Sequence, residues 1–318
     1  MSAHRRPSFW QDLGWRLEAL AYDGFVGLMR ALPIDTASDL GGWLFRTLGP
    51  LTSTQKTVRA NIDIAFPDMP EAEKQALITR QWENTGRTTA EFPLIDKMGM
   101  DSGRVEIIGF DRLKAIAENG KPVVIISAHQ SNWELTGVPL FALGIIFQIT
   151  YRAANNPYVD ARIKEGRRRF GARLFAPKGG DGAKELLLAM QKGESAFLMN
   201  DQKFNRGVPT PFFGHLVDTA PGPTRLAQKF GTYLQPITVR RLKKARFQVI
   251  AHPPIEVAST GHKGEDIETT VCKITEWVEG VVRDDPADWF WVHKRWRNET
   301  YQALKAGQAA HPTAQPSD

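Results

Sequence analysis

The stretch from Lys121 to Ser127 constrains the chain most, because Val123, Val124, Ile125 and Ile126 form an unbroken apolar run. A strand with one wet face alternates apolar and polar residues. A short run without alternation marks a strand covered on both faces, as in parallel sheets packed between helices. Further strand candidates lie at 105–108, 145–152, 173–176, 195–200, 236–240 and 246–251. Helical patterns separate many of them, at 132–143, 156–170, 181–192 and 224–230. Strands alternating with helices read as βαβ units. The fold class is therefore α/β, with a mainly parallel central sheet flanked by helices.

The upstream sequence has a different texture. Residues 8–32, 36–50, 53–65 and 70–85 read as helices. In the first, Trp10, Leu13, Leu17, Leu20, Gly24 and Leu28 recur at three- and four-residue steps, behind a basic head of His4, Arg5 and Arg6. Such a helix suits a membrane interface. It also suits packing on the main domain, and the sequence leaves both open. The longest uncharged run, 135–151, has 17 residues and is broken by Gly137, Pro139 and Gly144. A spanning helix needs about 20, so none is expected. Nor is a signal peptide, because Asp12, Arg16, Glu18 and Asp23 interrupt the apolar segment. The expected organisation is a helical N-terminal region over 1–104, an α/β domain over 105–300 and a disordered tail over 301–318.

Composition removes several function classes. The 318 residues hold one cysteine, Cys272, which excludes a disulfide framework and a cysteine-based zinc site. Lys and Arg number 41 against 35 Asp and Glu, a net charge of +6. That surplus favours an anionic partner: a membrane surface, a phosphorylated substrate or a nucleic acid. A nucleic-acid module would interleave basic and aromatic positions, and this chain shows no such pattern, so no nucleic-acid partner is expected.

The most informative segment follows the apolar run. His129 lies in the turn after the strand, and a helix is expected from about Asn132. Functional groups in open α/β sheets gather beyond the carboxyl ends of strands. A neutral imidazole there is a good base near neutral pH. Glu134, one helical turn on, is placed to accept the other ring N–H. The same residues also spell a capping box, with Glu134 reaching back to the Ser131 backbone. Nucleophile-elbow, zinc-protease, P-loop and dinucleotide templates all fail. Nothing marks Ser127 or Ser131 as a nucleophile, so the substrate is expected to supply it, as an acceptor hydroxyl. No metal or cofactor is expected.

The spacing from His129 to Glu134 resembles the motif of glycerolipid-type acyltransferases. From about Val58 to Arg297 the chain more closely resembles the lipid A late acyltransferases, of lauroyl and myristoyl type. The landmarks are Arg59-Ala-Asn-Ile-Asp-Ile-Ala-Phe-Pro, the His129/Glu134 pair, Tyr151-Arg-Ala-Ala-Asn-Asn-Pro, Gly166-Arg167, Asn200-Asp201-Gln202, Pro211-Phe-Phe-Gly and Trp291-Val-His-Lys-Arg. Two departures stand out. The N-terminal membrane segment is weaker than is usual for the family. Lys203-Phe204-Asn205 also stands where the family often has an acidic residue, an aromatic residue and glycine.

The resemblance implies acyl transfer from acyl carrier protein to a hydroxyl of a lipid A precursor, at the cytoplasmic face of the bacterial inner membrane. It makes His129 the general base and Glu134 its orienting partner. Arg152 and Arg167 match family positions and are assigned to the acceptor, since guanidinium groups bind phosphate in bidentate fashion. Asp201 and Gln202, at another strand end, are assigned to the same substrate-binding rim. The remaining arginines of 162–173 read as a solvated helix face, 179–182 as a loop and helix start, and 289–295 as structural or membrane-edge. Rival readings are a lysophospholipid or phosphoinositide-mannoside acceptor, or a basic membrane-binding protein without enzymatic activity.

Overall fold

The computed structural model describes residues 7–169, 175–177 and 180–307. Four helices come first: α1 (Phe9–Ala31), α2 (Ile34–Leu48), α3 (Gln55–Ala65) and α4 (Glu71–Glu91). The alternating part follows, with β1 (Val105–Ile108), α5 (Phe110–Asn119), β2 (Val124–Ser127), α6 (Gly137–Ala142), β3 (Phe147–Tyr151), α7 (Pro157–Arg169), β4 (Phe175–Pro177), α8 (Gly180–Gln191) and β5 (Ser195–Met199). A hairpin, β6 (Val208–Phe212) and β7 (His215–Thr219), precedes α9 (Gly222–Phe230), β8 (Leu234–Arg241), β9 (Phe247–Ala251), α10 (Lys263–Asp284) and α11 (Asn298–Lys305).

Seven strands form one sheet in the order β1-β9-β8-β2-β5-β3-β4. Every pairing is parallel except β8 with β9. The apolar run behaves as its pattern demands. Ile125 joins a cluster with Leu113, Leu140 and Phe147 on one face. Val124 and Ile126 join Leu186, Leu226 and Ile274 on the other. Helices α5 and α6 thus cover one face, and α8, α9 and α10 the opposite one. Met29, Ala37 and Ala90 belong to the first cluster, so the N-terminal helices share the core of the sheet. A third cluster joins α3 and α4 to the hairpin and to Trp289, Trp291 and Trp296.

Several elements differ from expectation. Helix α4 runs on to Glu91, and the hairpin, α5, α10 and α11 carry no signal read above. The hairpin closes through Phe213 and Gly214, both at positive φ (49° and 73°). That is the two-residue turn whose twist matches antiparallel strands. Helix α11 extends to Lys305, inside the expected disordered tail; residues 308–318 lie outside the described residues, as do His4, Arg5, Arg6 and part of the 173–176 and 179–182 segments.

Helix α1 is turned the opposite way from an ordinary surface helix. Its polar side faces α7: the Tyr158 hydroxyl donates to Asp12 (2.7 Å), Asn156 Nδ2 to Glu18 (2.9 Å), and Arg162 holds Asp23 through two 2.6 Å bonds. Its apolar stripe faces outward, with Trp10 77% and Leu20 67% exposed. Among the described residues no helix is long and apolar enough to cross a membrane.

Candidate active site

Two adjacent strands deliver the central pair. Ser127 of β2 stands level with Met199 of β5, and the ladder continues one bond further, Asn200 N donating to Ser127 O (3.0 Å). His129 and Asp201 each follow two residues after those strand ends, which brings them together. His129 Nδ1 lies 2.8 Å from Asp201 Oδ1. The His129 backbone N–H and the Trp289 indole N–H both donate to Asp201 Oδ2 (2.9 Å each). Burial pushes the Asp201 carboxyl up, but the neighbouring imidazole and the N–H donors outweigh it and hold the group at about 2. An ionised carboxylate only accepts, so Nδ1 donates and Nε2 is the ring nitrogen left to act as a base.

The expected contact between His129 and Glu134 does not form. The chain leaves His129 through Ser131, a non-glycine residue at φ 50°, and then takes a tight 3₁₀ turn over Trp133–Thr136 rather than an α-helix. That turn aims Glu134 at Arg167, which meets it with Nη2 at 2.5 Å and Nε at 3.1 Å. The capping box is also absent among the described residues, since Asn132 makes no side-chain cap and Ser131 Oγ finds no partner there. Arg167 is sandwiched by the Tyr151 and Phe92 rings, 4.9 and 5.6 Å from their centroids. Burial opposes its charge, yet Glu134 more than offsets this and raises the guanidinium above its ordinary value. Arg167 is therefore neutralised within the protein instead of standing open for an acceptor phosphate. Asp201, expected on the substrate rim, is buried beneath His129.

The loop carrying His129 is braced from behind. Buried Glu91 accepts both guanidinium arms of Arg241 (2.5 and 3.0 Å), the Ser38 hydroxyl (2.6 Å) and Asn132 Nδ2 (3.0 Å). Ser131 N donates to Asp288 O (2.7 Å), and Phe290 N to His129 O (2.9 Å). The Trp291-Val-His-Lys-Arg landmark is tied to the Arg59 landmark by Asn61, whose Nδ2 donates to Trp291 O (2.6 Å) and His293 O (2.8 Å). These contacts explain the tryptophan-rich segment as structural, with Trp289 reaching the site itself.

His129 opens on a cavity of about 430 Å³. Glu134, Arg152, Arg167 and Gln202 also line it, so five of the six residues singled out from the sequence share one space. Asn200 lines it as well, with Lys203, His293 and Trp133, which the sequence did not mark as site residues. The Asn200 side chain is buried, and its Nδ2 finds no partner among the described residues. Arg152 and Lys203 form no ion pair among the described residues. No metal-binding cluster occurs among the described residues. A base held by a buried carboxylate, facing a cavity with an apolar rear and a cationic front, is fitted to deprotonate a hydroxyl on an amphiphile.

Comparison with known proteins gives the family. The chain is similar to a lipid A biosynthesis acyltransferase of Haemophilus influenzae, at 23% identity over 84% of each chain. It is similar to the lipid A biosynthesis lauroyltransferase of Escherichia coli, at 24% identity over 86% of this chain and 89% of that one. A phosphatidylinositol mannoside acyltransferase of Mycolicibacterium smegmatis matches at 23% identity over 89% and 93%. The family model for bacterial lipid A biosynthesis acyltransferases matches residues 15–298, from α1 through the site to the tryptophan-rich segment, and the chain belongs to that family of enzymes.

Proposed function

We propose that this acyltransferase moves a fatty acyl chain from the thioester of acyl carrier protein to a hydroxyl of a lipid A precursor. The hydrogen-bonded pair of His129 and Asp201, opening on the cavity, carries the reading. His129 Nε2 takes the proton of the acceptor hydroxyl as its oxygen attacks the thioester carbonyl. Asp201 keeps the ring in the productive tautomer and stabilises the imidazolium that forms. The tetrahedral intermediate collapses, the C–S bond breaks, and the imidazolium gives its proton to the leaving sulfur, which departs as the thiol. Asn200 Nδ2, buried without a partner among the described residues, is the donor we assign to the developing oxyanion. Glu134 holds Arg167 in place along the cavity wall.

The outward apolar stripe of α1 supports peripheral attachment to the cytoplasmic face of the inner membrane, where an amphiphilic acceptor resides. Replacing Trp10, Leu17 and Leu20 together with serine should reduce cosedimentation with anionic vesicles. Unchanged cosedimentation would remove α1 from this role.

A second reading, a phosphoinositide-mannoside acceptor, is favoured by the near full-length match to the mycobacterial relative. One assay separates the two. The purified protein is given acyl carrier protein thioesters with a lipid A precursor or a mannosylated phosphoinositide, and products are read by mass spectrometry. Ester formation on the lipid A precursor alone is expected. Acylation confined to the mannoside would replace the first reading with the second.

A further inference from the structure

The cavity runs back from His129 between α6 and one face of the sheet. Side chains two apart on a strand share a face, so Phe147, Ile149 and Tyr151 of β3 line it together with Phe197 and Met199 of β5. Strand register measures its depth. Phe147 stands level with Ser195, whereas Ser127, just before His129, stands level with Met199. Four residues at about 3.3 Å each place Phe147 roughly 13 Å behind the strand ends. The walls there are hydrocarbon: Phe147 and Phe197 meet edge to face at 5.8 Å, and Val138 closes in from α6.

Gly137, the first residue of α6, also lines this rear part, and neither usual reason for glycine applies to it. Its backbone is ordinary helix, φ −74° and ψ −21°, which any residue adopts. It is not a close crossing either. At Gly41 and Gly86, where α2 crosses α4, an added Cβ would lie 2.4 and 2.1 Å from backbone oxygen. At Gly137, outside its own helix and among the described residues, it would meet a single neighbour within 4 Å, the tip of the Phe147 ring at 3.3 Å. Glycine destabilises a helix relative to alanine. Here it leaves open the space in front of Phe147.

We propose that Gly137 and Phe147 form the far end of the acyl channel, and that the missing side chain at Gly137 sets the longest acyl chain the enzyme transfers. This rests on the acyl-transfer reading above. The hydrocarbon enters past His129 and lies along Ile149, Phe197 and Met199, with its methyl end against Phe147 and Gly137. A side chain at residue 137 shortens the space from the end remote from the chemistry, so selectivity should change while the base and its partner stay intact.

The test is transfer from a series of acyl thioesters, octanoyl to palmitoyl, by the wild type, Gly137→Ala, Gly137→Leu and Phe147→Leu. In Gly137→Ala, transfer of the longest chain the wild type accepts should fall about tenfold relative to the shortest, since one methylene in an apolar pocket discriminates by about 10- to 200-fold. Gly137→Leu should move the cut-off to still shorter chains. Phe147→Leu should move it to longer ones, a change of opposite sign that loss of folding cannot imitate. An unchanged length profile in the Gly137 variants, or an equal loss for every length, overturns the proposal. Absence of transfer by the wild type from any thioester would instead refute the acyl-transfer reading.

Discussion

Asp201 and Glu134 are two carboxylates beside one cavity, and their partners give them different work. Asp201 accepts from an imidazole that can gain and lose a proton. Glu134 is clasped by a guanidinium, which stays charged at any working pH. Only the first pair can move a proton. Glu134 is five residues from His129 in sequence, whereas Asp201 is 72 away. Strand register, which puts Ser127 beside Met199, overrides nearness along the chain.

The largest effect should come from breaking the first pair. Asp201→Asn would present an amide N–H or a weaker acceptor to Nδ1, lose the productive tautomer and leave the imidazolium unsupported. The expected loss in kcat is about 10⁴-fold. His129→Ala should lose about 10²–10⁴-fold or more, and the double variant no more than the worse single one, because the two act as a unit. Glu134→Gln should retain far more activity than Asp201→Asn. Equal losses in the two would return the orienting role to Glu134.

How much of this was legible follows from which interactions are local. The buried strand, the parallel sheet, His129 and the place of Gln202 on the cavity could be read, since each is written in a short window. The switch from Glu134 to Asp201 could not. It depends on Ser131 turning through positive φ and on β5 lying directly beside β2, and neither has a local signature. Trp289 escaped for the same reason: nothing near it in sequence announces a carboxylate to hold. The orientation of α1 was legible as a stripe but not as a direction. Its outward turn is decided by the ties of Asp12 and Asp23 to α7 and of Glu18 to Asn156 just before it, more than a hundred residues downstream.

The second pair should matter more to stability than to rate. Removing either partner leaves a largely buried charge without its complement, at a cost of about 3–5 kcal/mol, somewhat less where glutamine keeps one acceptor. Glu134→Gln should lower the urea midpoint, and the same change in an Arg167→Met background should cost little. The coupling in that cycle is expected at about 1–3 kcal/mol. Additive losses would show that the pair does not act as one.

Another buried carboxylate, Asp288, shows what burial does to the charge where no imidazole answers it. Asp288 receives Asn84 Nδ2 (2.6 Å) and Arg241 N (3.2 Å) but faces no imidazole among the described residues. Burial, followed by the neighbouring Asp285 charge, pushes it up to about 6. An unfolded aspartate titrates near 3.9. The folded form therefore binds its proton more tightly, and this stabilisation is complete below about pH 3.9 and lost as pH rises through 6. Asp201 runs the other way, its contribution present above about 3.9 and lost as pH falls toward 2. Unfolding free energy of the wild type should carry a downward trend of about 3 kcal/mol across pH 4 to 6 from Asp288, and Asp288→Asn should remove it. The same slope in both proteins would assign the trend elsewhere.

The smallest effects concern the cations. Sequence alone assigns Arg152 and Arg167 alike to the acceptor, yet Arg167 is neutralised by Glu134, whereas Arg152 and Lys203 line the front of the cavity with no ion pair among the described residues. Charge-assisted contacts contribute about 1.5–3 kcal/mol when well enclosed, but an exposed rim group is screened and delivers less. Arg152→Ala and Lys203→Ala should therefore each raise KM for a phosphorylated acceptor by roughly tenfold or less, with kcat little changed. Neither should affect a dephosphorylated analogue, and added salt should shrink the difference between variant and wild type. Arg167→Ala should weaken both acceptors alike, through loss of the cavity wall and of stability. If instead only Arg167→Ala distinguishes the two acceptors, Glu134 must release Arg167 when substrate binds, and the second pair becomes part of acceptor recognition.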